Sequence, residues 1–394
     1  MPPERKFGAE ELRLLERVLA SGTLNPTKGW AVRQLEDEFA GRLGAARALA
    51  CGSGTAAVHT AVAAVDPEPG EEIVTSPLTD FGAIAPILQQ GAIPVFADVD
   101  PVTGTITPAS VERVMSERTR AVIVTHLNGA AVDVPAFARL GVSVIEDCAQ
   151  AFLARRPEGL VGTLGAIGCF SLQQTKHITT GEGGLVVTSD DALAARMHAF
   201  VNKARRYTDP VPDHHFLAPN HRMTELQGAV AIPQLARLDG IVTRRRALAE
   251  RLSTALAELD AVETLGDDHR EGHSWWKYTF RVRDEDGGGA AGAVAAALGE
   301  RGFAAAHPAH VPAFSWTAIR ERRTFGSSQW PFTLARPEAL DHAPERFSGL
   351  ADHLAATVAL PWSEDLGEDG VDAIAATVAV ALGRARAPRA PVAH

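Results

Sequence analysis

Residues 169–184 read CFSLQQTKHITTGEGG and place Lys176 between two segments of β-strand character. Hydroxyl side chains and glycines surround this lysine in the sequence. Partial burial favours the neutral form of a lysine, and a neutral lysine is a nucleophile that can form a Schiff base. Lys176 is therefore the first candidate catalytic residue, although a solvent-exposed turn lysine is the alternative interpretation of this residue taken alone.

Around this stretch, short apolar runs alternate with helical patterns from about residue 45 to residue 190. This alternation predicts an α/β fold with a large, mostly parallel mixed sheet flanked by helices. Helices are predicted at 55–65 and 108–117. The predicted strands are rich in Val and Ile, as buried parallel strands are, and cover 72–76, 93–97, 121–125, 142–146, 166–171 and 185–188.

The C-terminal part of the chain predicts a second, smaller α/β domain. A helical pattern runs over 223–259, with Pro233 and Gly240 as predicted kinks or breaks. A strand at 276–282, a glycine turn at 287–289 and an Ala-rich helix follow. The expected organisation is a large cofactor-binding domain with N-terminal helices at 1–240, a smaller C-terminal domain at 241–384 and a flexible tail at 385–394.

The composition excludes several classes of protein. The 394 residues carry a formal net charge of -10, which argues against nucleic-acid binding. Three cysteines without paired spacing indicate a reducing compartment, and the absence of a secretory signal or a long apolar run predicts a cytoplasmic protein with no membrane partner. No metal site is expected, since His214, His215 and His221 lack acidic partners at ligand spacing.

Two further positions suggest sites for a phosphate and for a cation. Ser53, Gly54 and Thr55 stand before a predicted helix, where free N–H groups and the helix dipole favour a phosphate. Asp147 follows a predicted strand, at the edge where open α/β sheets bind ligands. Its carboxylate can pair with the protonated ring nitrogen that pyridoxal phosphate requires. Each pattern alone is also typical of an ordinary helix cap.

Taken together, the phosphate site at 53–55, Asp147 and Lys176 follow the order found in fold type I pyridoxal-phosphate enzymes. The chain resembles the DegT-type sugar aminotransferase family over nearly its full length, from the helix QLEDEFA at 34–40 onward. The matching blocks are GSGTAA at 52–57, PVFADVD at 94–100, EDCAQA at 146–151, TK at 175–176, TGEGG at 180–184 and NHRMTELQ at 220–227.

The resemblance implies that Lys176 carries pyridoxal 5'-phosphate as a Schiff base, while Asp147 pairs with the pyridine nitrogen. It further implies a homodimer with shared active sites. In the family an aromatic residue directly after a threonine usually covers the ring, whereas here Asp80 separates Thr79 from Phe81. The remaining implied roles are the ring hydroxyl for Gln150, ring stacking for Phe81, the phosphate for Ser53, Gly54, Thr55 and Ser171, and the partner subunit's phosphate for Asn220.

The activity that the resemblance implies is transfer of an amino group from L-glutamate or L-glutamine to a keto sugar, nucleotide-linked, or to a keto cyclitol. Antibiotic or surface-sugar biosynthesis is the expected setting. One alternative is a pyridoxal-phosphate-dependent dehydratase or other eliminating enzyme, but sugar dehydratases of this fold replace the lysine with histidine, and here Lys176 precedes His177. The other alternative is a non-catalytic cofactor-binding regulator, against which the set Asp147, Ser171 and Lys176 argues.

Overall fold

The computed structural model describes residues 7–206, 210–211, 213–284 and 289–385. The predicted tail beyond residue 385 lies outside the described residues, and so do Gly287 and Gly288 of the predicted glycine turn. Gly289 is described, has a positive φ of 77° and precedes a helix.

A seven-stranded sheet forms the centre of the large unit, in the order β1-β9-β8-β5-β4-β2-β3. Six of these strands run in one direction, and only β9 is antiparallel to its two neighbours. The predicted α/β architecture with a large, mostly parallel mixed sheet is thus confirmed. The strands of this sheet are β1 (Arg47–Cys51), β2 (Glu72–Thr75), β3 (Ile93–Phe96), β4 (Thr119–Thr125), β5 (Ser143–Asp147), β8 (Ile167–Ser171) and β9 (Gly184–Thr188), with the hairpin β6 (Arg155–Arg156) and β7 (Gly159–Leu160) between β5 and β8.

Helices cover the sheet and continue beyond it. They are α1 (Ala9–Ala20), α2 (Ala31–Leu43), α3 (Gly54–Ala64), α4 (Phe81–Gln89), α5 (Pro108–Glu112), α6 (Asp191–Val201), α7 (Glu225–Ala257), α8 (Asp267–Arg270), α9 (Ala290–Glu300), α10 (Thr317–Arg320), α11 (Ser348–Ala356) and α12 (Gly367–Ala385). The predicted helix at 55–65 is confirmed as α3, whereas α5 ends five residues before the predicted limit of 117.

The long helix α7 runs without a break through Pro233 and Gly240, so of the predicted kinks or breaks the break is wrong. A proline inside a helix costs about 3 kcal/mol. Pro233 is buried, and its neighbours Leu235 and Leu238 pack in the same core as α1 and α2. We infer that this packing offsets the local cost and keeps the helix continuous.

A second, three-stranded sheet belongs to the C-terminal part, in the order β10 (Val262–Glu263), β11 (Lys277–Val282) and β12 (Thr357–Pro361). The helices α9 and α12 and the last turns of α7 pack on it around Tyr278 and Trp362. The segment from Ala313 to Leu350 packs instead against β2, β3 and β4 of the large sheet. The domain boundary at residue 240 stays a prediction, since that residue lies within α7.

A pair of backbone hydrogen bonds joins the beginning of β11 to the loop after β4. Trp276 donates its N–H to the carbonyl oxygen of Asn128 at 2.9 Å, and Ser274 donates to that of Gly129 at 2.9 Å. Gly129 has a φ of 108°, and a Cβ there would lie 2.6 Å from the backbone nitrogen of Trp275. This close approach brings the small sheet against the carboxyl edge of the large one.

Within the described residues, none of the helices combines the length and the apolar character needed to cross a bilayer.

Candidate active site

The candidate site lies where the parallel strands of the large sheet end. Because six strands point the same way, the residues that follow them meet at one edge. Ser53 follows β1, Asp147 ends β5, Ser171 ends β8, and Lys176 lies in the loop after β8.

The first feature of the site is a cradle at the N-terminus of α3. The Ser53 hydroxyl caps this helix by accepting a hydrogen bond from the Ala56 N–H at 3.1 Å. The N–H groups of Gly54 and Thr55 belong to the first helical turn, which has no intrahelical acceptors for them. A Cβ on Gly54 would lie 2.6 Å from the Cβ of Ser171, so only glycine leaves this space open. Four of the residues predicted to bind phosphate, Ser53, Gly54, Thr55 and Ser171, therefore come together at a helix end suited to an anion.

Asp147 is buried beside this cradle, with 5% of its surface exposed. Its Oδ1 accepts a hydrogen bond from the Ala149 N–H at 3.1 Å. Burial raises the pKa of Asp147, while the Ala149 N–H and the charge of Lys176 lower it. A buried carboxylate of this kind is stabilised by a bound cationic group, such as a protonated ring nitrogen.

Lys176 is fixed through both of its neighbours in the chain. The Thr175 carbonyl accepts a hydrogen bond from the Trp276 indole at 2.8 Å, and the buried His177 ring donates Nε2–H to the Ser274 carbonyl at 2.9 Å. The Lys176 Nζ lies 4.2 Å from the centroid of the Trp276 ring. Burial lowers the pKa of Lys176, whereas the charges of Asp147 and Asp80 raise it.

Gln150 is held in a single orientation at the same edge. Its Oε1 accepts the Asn128 N–H at 2.7 Å, so its Nε2 is the group that remains to donate into the site. Asn128 has a positive φ of 59°, and its side-chain oxygen is buried without a hydrogen-bond partner. A donor and an unsatisfied acceptor thus lie together where the resemblance places a ring hydroxyl.

The structure adds Asp80 to the site, a residue that the sequence marked only as a departure from the family pattern. Asp80 caps α4, where its Oδ1 accepts the Gly82 N–H at 2.8 Å, and its charge acts on both Asp147 and Lys176. Phe81, the predicted stacking residue, is 40% exposed and meets Trp316 edge-on at 5.8 Å. Its stacking role stays a prediction.

Asn220 is exposed, and its Oδ1 accepts a local hydrogen bond from the Arg222 N–H at 3.3 Å. Its role at a partner's phosphate stays a prediction. The adjacent His221 faces His59 with 3.0 Å between Nε2 and Nδ1, and burial lowers the pKa of His59 to about 4. His221 therefore belongs to a histidine pair, whereas His214 contacts the Lys203 carbonyl.

One cluster among the described residues brings metal-type ligands together, namely His126, Glu146 and Cys148. Glu146 already accepts hydrogen bonds from His126 Nε2 and from three backbone N–H groups, at 2.6 to 2.9 Å. His126 Nδ1 accepts from the Val132 N–H at 3.1 Å. The geometry therefore fits a satisfied structural carboxylate, because a metal ion would have to replace these bonds.

The small sheet contributes residues that pattern reasoning did not assign to the site. Trp276 lies against Lys176, and Lys277 follows it at the start of β11. His310 accepts a hydrogen bond from the Asn128 amide at 3.2 Å. These residues lie about one hundred positions or more from Lys176 in the sequence, and no spacing rule relates them.

The sequence profile of the DegT/DnrJ/EryC1/StrS aminotransferase family matches residues 5–379. The chain is 35% identical over 297 residues to the spore coat polysaccharide biosynthesis protein SpsC of Bacillus subtilis (strain 168), covering 72% of this chain and 75% of that protein. It is 34% identical over 274 residues to a protein of Streptoalloteichus tenebrarius provisionally named L-glutamine:3-amino-2,3-dideoxy-scyllo-inosose aminotransferase, covering 68% and 66%.

Among solved structures, the chain is similar to an aminotransferase from Psychrobacter cryohalolentis, with a TM-score of 0.85 and 27% identity. The likeness covers 97% of this chain and 98% of that one. The predicted fold type I architecture is confirmed by this agreement over nearly the whole chain.

Proposed function

Because the chain belongs to the DegT/DnrJ/EryC1/StrS aminotransferase family, we propose that it transfers an amino group from L-glutamate or L-glutamine to a keto sugar or keto cyclitol. The relatives support these two acceptor classes, since one is named for polysaccharide biosynthesis and the other for a scyllo-inosose. A nucleotide-linked sugar is included in the first class. The cofactor of the proposed reaction is pyridoxal 5'-phosphate.

The observation that carries the proposal is the meeting of an anion cradle, a buried carboxylate and a lysine at one sheet edge. In this proposal Ser53, Gly54, Thr55 and Ser171 bind the phosphate. Gln150 Nε2 donates to the ring hydroxyl, as its fixed orientation favours. Asp147 pairs with the ring nitrogen, whose positive charge stabilises this buried carboxylate.

When bound, the cofactor supplies an electron-withdrawing ring that makes the proton on the donor's α-carbon acidic. Lys176 Nζ removes that proton and later delivers one to the acceptor's carbon. Burial favours the neutral amine needed for the first step, and the carboxylates Asp147 and Asp80 limit this effect. The bonds from Trp276 and His177 hold the lysine loop, so that Nζ keeps its position during both steps.

We further propose a homodimer in which Asn220 reaches the partner's phosphate. Its exposure in the single chain leaves the side chain accessible to a second subunit. In a two-fold dimer each such segment lies at the other subunit's site.

A direct test uses purified protein loaded with pyridoxal phosphate. Borohydride reduction followed by peptide mass spectrometry should locate the cofactor on Lys176. Addition of L-glutamine or L-glutamate should remove the visible absorbance band and release one equivalent of keto acid, and keto sugars or keto cyclitols should then restore the band. A protein that binds the cofactor but leaves the band unchanged with every amino donor would contradict the proposal and favour a binding role. Loss of water or another group from an acceptor without amino transfer would favour the eliminating alternative.

A further inference from the structure

Lys277 is a second lysine beside the candidate catalytic one. It opens β11 directly after Trp276, and its Nζ lies 5.0 Å from the centroid of the Trp276 ring. The Nζ of Lys176 lies 4.2 Å from the same centroid. Two ammonium groups from different parts of the chain therefore share one indole ring at the site.

Lys277 has no anionic partner among the residues that the structure describes, although its side chain is partly buried. Burial lowers its pKa, and its charge in turn contributes to lowering the pKa of Lys176 and of His310. Burial, with a smaller contribution from Lys277, lowers the pKa of His310 to about 3, so this neighbouring ring is neutral at physiological pH.

Two other buried or partly buried cations of the chain have anionic partners. The Arg245 guanidinium meets Glu364 at 2.7 Å, and that of Arg336 meets Glu72 at 2.5 Å. A cation removed from water without a partner is costly, and one anion nearby removes most of that cost. We therefore expect Lys277 to gain its anionic partner from a bound ligand.

We propose that Lys277 binds the α-carboxylate of the amino donor. This inference rests on the proposed aminotransferase function, in which Lys176 moves the proton of the donor's α-carbon. The α-carboxylate is attached to that carbon, so it must lie close to Lys176 when the donor is bound. Lys277 is the cation that shares the Trp276 ring with Lys176, and it is anchored on a regular strand.

A diphosphate of a nucleotide-linked acceptor is the other anion that this site can meet. The sugar ring separates this diphosphate from the reacting carbonyl, whereas Lys277 contacts the same Trp276 ring as Lys176. The position of Lys277 favours the donor, and the two half-reactions distinguish the sources because only the donor carries an α-carboxylate.

The test compares L-glutamine with L-glutaminamide, in which a neutral amide replaces the α-carboxylate, in the single-turnover donor half-reaction of the holoenzyme. Hydrogen bonds to charged groups contribute about 1.5 to 3 kcal/mol, so the wild type should prefer L-glutamine by about tenfold to a hundredfold in kcat/KM. In Lys277→Met this preference should disappear through loss of activity on L-glutamine alone. Lys28→Met, which removes a surface lysine, should keep it.

Circular dichroism melting confirms that the variant is folded, and the acceptor half-reaction of Lys277→Met should stay within about twofold of the wild type. A preference for L-glutamine that persists in Lys277→Met would overturn the proposal, and so would a loss confined to the acceptor half-reaction, which would assign Lys277 to the diphosphate.

Calorimetric binding of glutarate, an unreactive dicarboxylate, separates this inference from the proposed function. Weaker binding to Lys277→Met than to the wild type supports the carboxylate site even if no donor reacts, in which case only the aminotransferase proposal fails. Equal glutarate binding, or none to either protein, would overturn the role of Lys277 whether or not transamination occurs.

Discussion

Replacing Asp147 with asparagine removes the buried carboxylate that is proposed to pair with the cofactor's ring nitrogen. The side chain is 5% exposed and keeps one backbone hydrogen bond, from Ala149, which an amide oxygen can also accept. For opposite charges about 4 Å apart, an effective dielectric constant near 20 gives about 4 kcal/mol. Since about 1.4 kcal/mol corresponds to tenfold, Asp147→Asn should slow the donor half-reaction by about a thousandfold.

The same substitution should change stability in opposite directions with and without cofactor. Burial raises the pKa of Asp147 in the folded protein, so the folded state binds this proton more tightly than the unfolded state does. Without cofactor, the carboxyl therefore contributes stability below its unfolded pKa of about 4 and loses it as pH rises through the raised pKa. Asp147→Asn should melt above the wild type at pH 8 without cofactor, and this difference should disappear near pH 3.

With saturating pyridoxal phosphate, the order of the two melting temperatures should reverse. A ligand stabilises the folded state in proportion to the logarithm of its concentration over its Kd, so weaker pairing reduces its effect. Stopped-flow absorbance gives the half-reaction rate, and differential scanning calorimetry gives both melting temperatures. Asp191→Asn, at an exposed position on α6, serves as the control. A fall in rate of less than about tenfold, with an unchanged cofactor-dependent rise in melting temperature, would refute the pairing.

Three other substitutions test the remaining parts of the site and fold. Lys176→Ala should abolish transamination and borohydride trapping while its circular dichroism melting stays within a few degrees of the wild type, and near-normal turnover would exclude the assigned role. Refolded mixtures of Lys176→Ala and Asn220→Ala should regain up to about a quarter of wild-type activity, because about half the dimers are mixed and each mixed dimer has one intact site of two. If both parent variants are inactive and proven mixed dimers show no recovery, Asn220 lies outside the shared site. Glu225→Gln should lower the free energy of unfolding by about 2 to 4 kcal/mol in urea titrations. The reason is that this carboxylate accepts hydrogen bonds from the N–H groups of Trp30, Ala31 and Val32 at the start of α2, at 2.7 to 3.1 Å. A change below about 0.5 kcal/mol would show that these bonds contribute little to stability.

Much of the large sheet could be predicted because most of its strands are short, largely apolar segments that contain Val and Ile. Five of the six predicted strands that follow β1 lie within one residue of the observed limits, and only β4 begins earlier, at Thr119. The edge strand β1 was missed since its sequence, RALAC, lacks β-branched residues and forms a strand through pairing with β9. Long-range pairing of this kind leaves no local pattern.

Some residues of the candidate site could likewise be predicted from the sequence, and others could not. Asp147 and Ser171 could be placed from sequence because each lies at the end of a predicted strand, and Ser53 because its Gly/Ser turn stands before a predicted helix. Asp80 gave a partial signal as the residue between Thr79 and Phe81. Lys277 and His310 gave none, since they reach the site only through the folding of the small sheet and its connecting loops onto the loop after β4.

The two hydrogen bonds between the loop after β4 and the start of β11 also set a limit on how the molecule moves. Any hinge motion that parts the two sheets must break the bonds of Trp276 and Ser274 together, and it must carry the indole away from the Thr175 carbonyl. Hydrogen exchange at these two amides should therefore report one common free energy of opening, that of separating the two sheets. If the two sheets separate more slowly than the enzyme turns over, substrates enter and products leave while the sheets stay joined.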